Sequence, residues 1–264
     1  MMDYKVDFHT HTWHSDGLMK PTEMVRLFAE KQYDIVAITD HDGIGGVQEA
    51  QIAGEALGLQ IVAGIEFATE YEFEGETLEL HMLGYYIDIE NEDLLDRLRD
   101  IRKARKERNE KLLQALNDAG YELTWDDILT RPKQTYVGKP NFARAMEKKG
   151  YVMENMWDFF SEIPKEKISA EEAMALIKGA GGIPVLAHPA QIKHIGEPGS
   201  EEFWTKLEKL IRELKKKGMK GLECFHPSAD DDLAGKLAVL AGKCYLHILQ
   251  GSDFHGEPEQ IAKL

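Results

Sequence analysis

Short apolar runs that end in His, Asp or Glu recur along this chain. Tyr4, Val6 and Phe8 alternate with polar neighbours and lead into His9-Thr10-His11, which predicts a half-buried strand with both imidazoles on one side. Val36-Ala37-Ile38 runs into Thr39-Asp40-His41-Asp42, and Ile61–Ile65 runs into Glu66. Leu78–Tyr86 carries His81, Ile183–Ala187 ends at His188, and Leu246–Gln250 leads through Gly251-Ser252 to Asp253 and His255. Apolar runs of this length fit strands buried on both faces, and α/β barrels gather their chemistry at the carboxyl ends of such strands. One His at a strand end is ordinarily structural. The repetition points to a site.

Between these runs the period becomes helical. Met24, Val25, Leu27 and Phe28 mark a stripe on Pro21–Lys31, and a second helix over Gly45–Leu57 closes at Gly58. Helices are also predicted over Ala170–Gly179, Glu201–Lys217 and Asp230–Ala241. Strands alternating with helices across short links predict an α/β fold with a parallel sheet or barrel. A polar hairpin (Glu70 to Glu79) precedes the His81 strand. The last segment after His255 is short, so imperfect barrel closure is expected.

Residues 89–168 break this rhythm. A long helix is predicted near Asn91–Leu116, ended by Ala119-Gly120, with shorter ones at Trp125–Leu129, Asn141–Lys149 and Glu154–Phe160. We read an all-helical insertion within one catalytic domain spanning 1–264; insertions at that end of a barrel commonly shape substrate choice. The long helix carries eight Lys or Arg between Arg97 and Lys111, interleaved with Glu107 and Glu110, which suits exposed ion pairs. On a helical wheel, however, Leu94, Leu98, Ile101, Leu112 and Leu116 form one stripe with Arg105 at its centre and Arg108 near its edge. A buried charge needs a partner. For Arg105 two partners stay open, a core carboxylate or an anion in the site.

Composition narrows the classes. With 264 residues and 43% hydrophobic content the chain can bury a full core. The net charge of −15 opposes binding duplex nucleic acid over a broad surface, yet permits an anionic small substrate if bound cations dominate the local field. No apolar run is long enough to span a membrane and no export signal opens the chain, so a cytoplasmic protein is expected. Cys224 and Cys244 are read as reduced apolar residues rather than a disulfide. Oligomeric state is not legible.

These motifs together resemble the polymerase-and-histidinol-phosphatase (PHP) family of metal-dependent phosphoesterases. The matching residues are His9-Thr10-His11 with Ser15-Asp16-Gly17, Thr39-Asp40-His41-Asp42, Gly64-Ile65-Glu66, His81, Ala187-His188-Pro189 and Gly251-Ser252-Asp253-Phe254-His255. The resemblance spans nearly the whole chain and implies a distorted seven-stranded β/α (TIM-like) barrel with two or three divalent metal ions. It implies one metal at His9, His11, Glu66 and Asp253, with Glu66 bridging to a second at His81 and His188. Asp16, His41 and His255 would hold the third. Imidazole with carboxylate suits Mn, Fe or Zn. Asp40 and Asp42 are expected to orient ligand imidazoles, with His14 a solvent-side neighbour and His194 and His247 structural or exposed.

The implied catalyst is a metal-bound hydroxide between the sites bridged by Glu66, attacking phosphorus in line. No G-x-S-x-G or P-loop pattern offers another nucleophile or phosphate cradle. Val137-Gly138-Lys139-Pro140-Asn141 resembles the G-R-P-H segment of a PHP subgroup acting on nucleotides and short RNA ends, with Lys139 in place of Arg and Asn141 in place of His. Expected phosphate contacts are Lys139, Arg144, Arg105 and His226, the last equally readable as an inert loop His. The expected substrate is a small phosphate ester: a nucleotide, a nucleoside bisphosphate or a short oligonucleotide end. A histidinol-phosphate-type phosphatase, a hydrolase of a non-phosphate bond and a metal-binding module without turnover remain alternatives.

Overall fold

Ile35–Ile38 (β2), Ile183–Leu186 (β6) and Gly221–Phe225 (β7) form interior strands, as runs with few polar residues do when both faces are covered. The computed structural model describes residues 4–131, 134, 136–164 and 167–264. The other strands described are β1 (Val6–Asp7), β3 (Gln60–Phe73), β4 (Glu76–Tyr85), β5 (Ile168–Ser169) and β8 (His247–Gln250). They follow the order β1-β2-β3-β4-β6-β7-β8, with β5 paired to β3 off this path. The ring is nearly closed: no ladder joins β8 to β1, but the Phe8 N–H donates to the Gln250 carbonyl (3.1 Å) and Thr10 bridges Phe254. The expected seven-stranded β/α barrel is present, distorted where β4 runs antiparallel to both β3 and β6. Glu74 and Gly75 explain this. Both have positive φ (53° and 85°) in a two-residue turn, a link that only antiparallel neighbours accept.

Helices α1 (Pro21–Glu30), α2 (Val47–Leu57), α7 (Ala170–Gly179), α8 (Glu201–Lys217) and α9 (Asp231–Lys243) lie close to the spans predicted from the sequence. Between β4 and β5 come α3 (Glu92–Asp118), α4 (Trp125–Ile128), α5 (Lys139–Lys148) and α6 (Met156–Ser161), and α10 (Pro258–Lys263) ends the chain. The sequence reading missed the two-residue β5 and α10, both too short for a periodic signal.

The barrel interior is filled by Ala37, Val62, Leu83, Tyr85, Val185 and Ala187. The stripe of α3 divides between two cores. Leu94, Leu98 and Ile101 join the main core, whereas Leu112 and Leu116 pack with Phe142, Met146 and Phe160 of α5 and α6. Arg105 and Arg108 sit between these two apolar stretches.

Candidate metal centre

Neighbouring strands and the turns that follow them are tied to one another by backbone hydrogen bonds. The Thr39 N–H donates to the Thr10 carbonyl (2.9 Å), the Glu66 N–H to Asp40 (3.2 Å), the Ala187 N–H to His81 (3.0 Å) and the Phe254 N–H to His9 (3.1 Å). Each bond links a residue carrying, or adjoining, one of the recurring His and carboxylate positions. Their side chains therefore meet on a rigid frame.

Glu66 lies at the centre, 1% exposed. Its Oε1 faces His81 Nδ1 (2.8 Å) and His188 Nε2 (3.2 Å). Its Oε2 faces His9 Nε2 and His11 Nε2, both at 3.3 Å, and His41 Nδ1 at 2.9 Å. Asp253 Oδ1 lies 3.1 Å from His11 Nε2 and 3.5 Å from His9 Nε2. Asp16 closes the far side, with Oδ1 3.3 Å from His255 Nε2 and Oδ2 3.7 Å from His41 Nε2. Backbone strain accompanies the convergence. His188, Asp253 and Asp42 hold φ of 24°, 52° and 46°, a region that L side chains occupy uncommonly, though Gln32, Glu74 and other residues away from the cluster share it here. Gly251 is required for another reason: a Cβ there would lie 2.3 Å from His9 Cβ and 2.5 Å from Glu223 Oε1.

Burial disfavours every charge in this cluster, so the groups support one another. Against burial, Glu223, Glu66 and Asp253 hold His9 well above the ordinary imidazole range. Glu66 and Asp16 likewise raise His41 to about 10. Burial, then the neighbouring His41 charge, pushes His11 down. Despite their burial, Glu66 and Asp253 lie well below the usual carboxylate range, because His41 and His9 respectively act on them most strongly among the imidazoles.

The donor atoms fit metal ions better than they fit one another. Ligand atoms about 2.1 Å from a shared ion stand roughly 3.0–3.4 Å apart, as several of these pairs do. Yet His9 Nε2, His11 Nε2, His41 Nδ1, Asp16 Oδ1 and Glu66 Oε2 are buried without a hydrogen-bond partner. Buried polar atoms are normally bonded, and cations at their meeting points would satisfy them. Four groups can each hold an ion: His11, Asp16, His41 and His255; His9, His11 and Asp253; His41, Glu66 and His81; and His9, Glu223 and His226.

The sequence matches the PHP domain family over residues 7–225. This chain belongs to the PHP domain family. Curated relatives include a 5'-3' exoribonuclease of Haemophilus influenzae, 29% identical over 96% of this chain and 91% of its own. A 3',5'-nucleoside bisphosphate phosphatase of Chromobacterium violaceum is also 29% identical, over 96% of this chain and 88% of its own. Among solved structures, an amidohydrolase from C. violaceum with bound sulfate and no metal superposes with a TM-score of 0.81, at 28% identity over 97% of this chain and 89% of that one.

The nine positions expected as ligands all lie in the cluster. Glu66 and His81 enter from the middle of β3 and β4, opposite Leu83 and Ala68, rather than from strand ends. The expected phosphate contacts fare differently. Arg105 is bonded to Asp42 and lies 4.3 Å over the Tyr136 ring, which realises the internal ion pair. Arg144 pairs with Glu257 (3.3 Å) on the exposed surface. Lys139, at the start of α5, donates to the Ser161 hydroxyl (3.2 Å). Asn141, where the resemblance has His, caps α5 by accepting the Gly138 N–H at 2.9 Å.

His226 reaches the edge of the cluster. It is 7% exposed, its Nδ1 is 2.8 Å from the Ser228 hydroxyl, and its Nε2, without a hydrogen-bond partner, lies 3.5 Å from Asp253 Oδ2. Asp40 does not orient an imidazole directly. It accepts from the Thr12 N–H and hydroxyl (2.8 and 2.7 Å) and the Ser15 hydroxyl (2.6 Å), bracing the loop after His11. Asp42 accepts the Ala68 N–H (3.3 Å) beside its bond to Arg105. His14 is half-buried, and His194 and His247 are exposed, as expected.

The sequence reading missed Glu223. It is 1% exposed, its Oε1 lies 2.9 Å from His9 Nδ1 and its Oε2 accepts the His188 N–H at 2.8 Å. The available signal was one carboxylate inside the apolar run Gly221–Phe225. Asp7 was missed too: it accepts the His9 and Ser252 N–H groups, and burial pushes it up to about 6. Cys224 and Cys244 are free and buried, as the sequence suggested. No described helix is long and apolar enough to cross a membrane.

Proposed function

We propose that this PHP-family protein, a metal-dependent hydrolase of phosphate esters, acts on a small nucleotide-type substrate: a nucleotide, a nucleoside bisphosphate or a short oligonucleotide end. The carrying observation is the division of Glu66, with one oxygen toward His81 and His188 and the other toward His9, His11 and, nearest of the three, His41. That is the disposition a carboxylate takes between two ions. Asp253 completes the first set, and Asp16, His41 and His255 form a third. Bound divalent ions, Mn, Fe or Zn, supply Lewis acidity there, lowering the pKa of water and offsetting phosphate charge.

The chain's own residues prepare that chemistry. Glu223 holds His9 Nδ1 and so leaves Nε2 facing the cluster. His226 presents Nε2 beside Asp253, where it can donate to a phosphate oxygen or take part in ligation. A cavity of about 360 Å³, lined in part by His81, His188, Gln191 and Lys193, opens beside the cluster and suits a small ester. The names of the exoribonuclease and bisphosphate phosphatase relatives support the nucleotide class.

The test is a panel of phosphate esters with manganese-loaded protein: nucleoside monophosphates, 3',5'-bisphosphates, short oligonucleotides and histidinol phosphate. Highest kcat/KM on a nucleotide or an oligonucleotide end is expected. A clear preference for histidinol phosphate, or turnover of an amide and of no phosphate ester, would overturn the reading.

A further inference from the structure

A cavity of about 620 Å³ opens between α3 and α4. None of the nine positions expected as metal ligands lines it, and neither does His226. It is linked to the cluster through Arg105, which lines it and is bonded to Asp42 beside His41. Its size falls within the usual range for small-molecule sites, about 300–1,000 Å³.

The lining combines apolar surface with positive charge. Val137 is buried, and Trp125 and Leu129 are half-buried, the Trp125 ring held edge-on against Phe142 with centroids 6.3 Å apart. Glu110 is the one carboxylate among the described lining residues, and it faces Lys106 at 3.9 Å. Arg99 is paired with Asp96. Exposed Arg102 and Lys103 have no ion pair among the described residues. In a chain of net charge −15, this leaves a local surplus of cations beside an aromatic wall.

Asn109 is an independent sign of a ligand. It lines the same cavity at 3% exposure. Its Nδ2 donates to the Val137 carbonyl (2.9 Å), which fixes the orientation of the amide, and its Oδ1 is buried without a hydrogen-bond partner. Buried amide oxygens are normally bonded, so this one calls for an N–H or O–H donor.

We propose that the cavity binds a small aromatic anion of mononucleotide size, at a site separate from the metal centre. Its ring lies against Trp125 and Leu129, its N–H or O–H donates to Asn109 Oδ1, and its anionic group meets Arg102 and Lys103. Aromatic stacking and a guanidinium facing an anion are both favourable here. The proposal stands independently of the phosphoesterase reading.

The probe is the uncleavable methylenephosphonate analogue of adenosine 5'-monophosphate. It is titrated calorimetrically into manganese-loaded protein in excess inorganic phosphate, which competes at the metal centre. Wild type is expected to bind one equivalent. Affinity should fall on the order of 10-fold or more when Arg102→Glu and Lys103→Glu are combined, and also in Trp125→Leu. Adenosine, which lacks the anion, should bind more weakly than the probe and equally to wild type and the charge-reversed protein. Arg102 and Lys103 are exposed, so the charge-reversed protein keeps the test decisive even if Trp125→Leu fails to fold. No binding in excess phosphate, or undiminished binding in the charge-reversed protein, would overturn the proposal.

Discussion

Glu223 Oε1 lies 2.9 Å from His9 Nδ1, and the other oxygen of the same carboxylate accepts the His188 N–H at 2.8 Å. One buried carboxylate thus fixes the ring of one candidate ligand and the strained backbone of another. Such partners set the tautomer and basicity of ligand imidazoles. Glu223→Ala is expected to weaken metal binding and activity about 10- to 100-fold. Glu223→Gln, which keeps the shape and one acceptor, should lose less. Manganese titration of metal-stripped variants checks this, and wild-type affinity in Glu223→Ala would show that the contact is incidental.

Arg105 and Asp42 form an ion pair with side chains 5% and 2% exposed, linking α3 to the turn after His41. Removing one member of a buried pair is strongly destabilising, because the other keeps its desolvation cost. Arg105→Met should lower unfolding free energy by about 3–5 kcal/mol, and Arg105→Met with Asp42→Asn should restore part of it. Urea denaturation of the four proteins measures the coupling. Full stability in Arg105→Met, with weaker substrate binding, would return Arg105 to the role of an anion contact.

Without metal, the cluster is held by imidazolium charge, and this fixes the sign of its pH dependence. Against burial, Glu66 raises His41 from 6.5 to about 10. A raised pKa stabilises the fold fully below about pH 6.5 and progressively less as pH climbs toward 10. The depressed Glu66 and Asp253 contribute above the ordinary carboxylate range and lose that contribution only in acid. Metal-stripped protein should therefore melt lower at about pH 9 than at about pH 6. Metal binding requires neutral imidazoles, so affinity should rise over the same interval. Melting curves of stripped and loaded protein check both, and a stripped protein that gains stability with rising pH would rule out the charged cluster.

The barrel and most of the clustered positions were legible because they stand in, or shortly after, a short apolar run, a local signal; Asp16, on the Ser15-Asp16-Gly17 turn, came in as a ligand through the family resemblance. What the sequence hid was pairing across distance. Nothing local shows that Arg105 meets Asp42, 63 residues away, or that Arg144 meets Glu257. His81 was found together with the hairpin that leads to it, which turns at Glu74-Gly75, but nothing local shows that the same strand also runs antiparallel to β6. Glu223 was overlooked for a subtler reason. A carboxylate in an apolar strand can face solvent or the interior, and only the fold places it beneath His9. Asn141 illustrates the converse: the departure from a family motif is explained by helix capping, a role visible once Gly138 is seen to donate to it.

The most direct measurement is phosphate release from a nucleoside 3',5'-bisphosphate as manganese is returned to metal-stripped protein, with Glu66→Ala in parallel. The expected result is no release without metal, a rise to a plateau at two or three ions per chain, and loss of that rise in Glu66→Ala. Release that needs no metal, or that survives Glu66→Ala undiminished, would contradict a bridged metal centre as the seat of the chemistry.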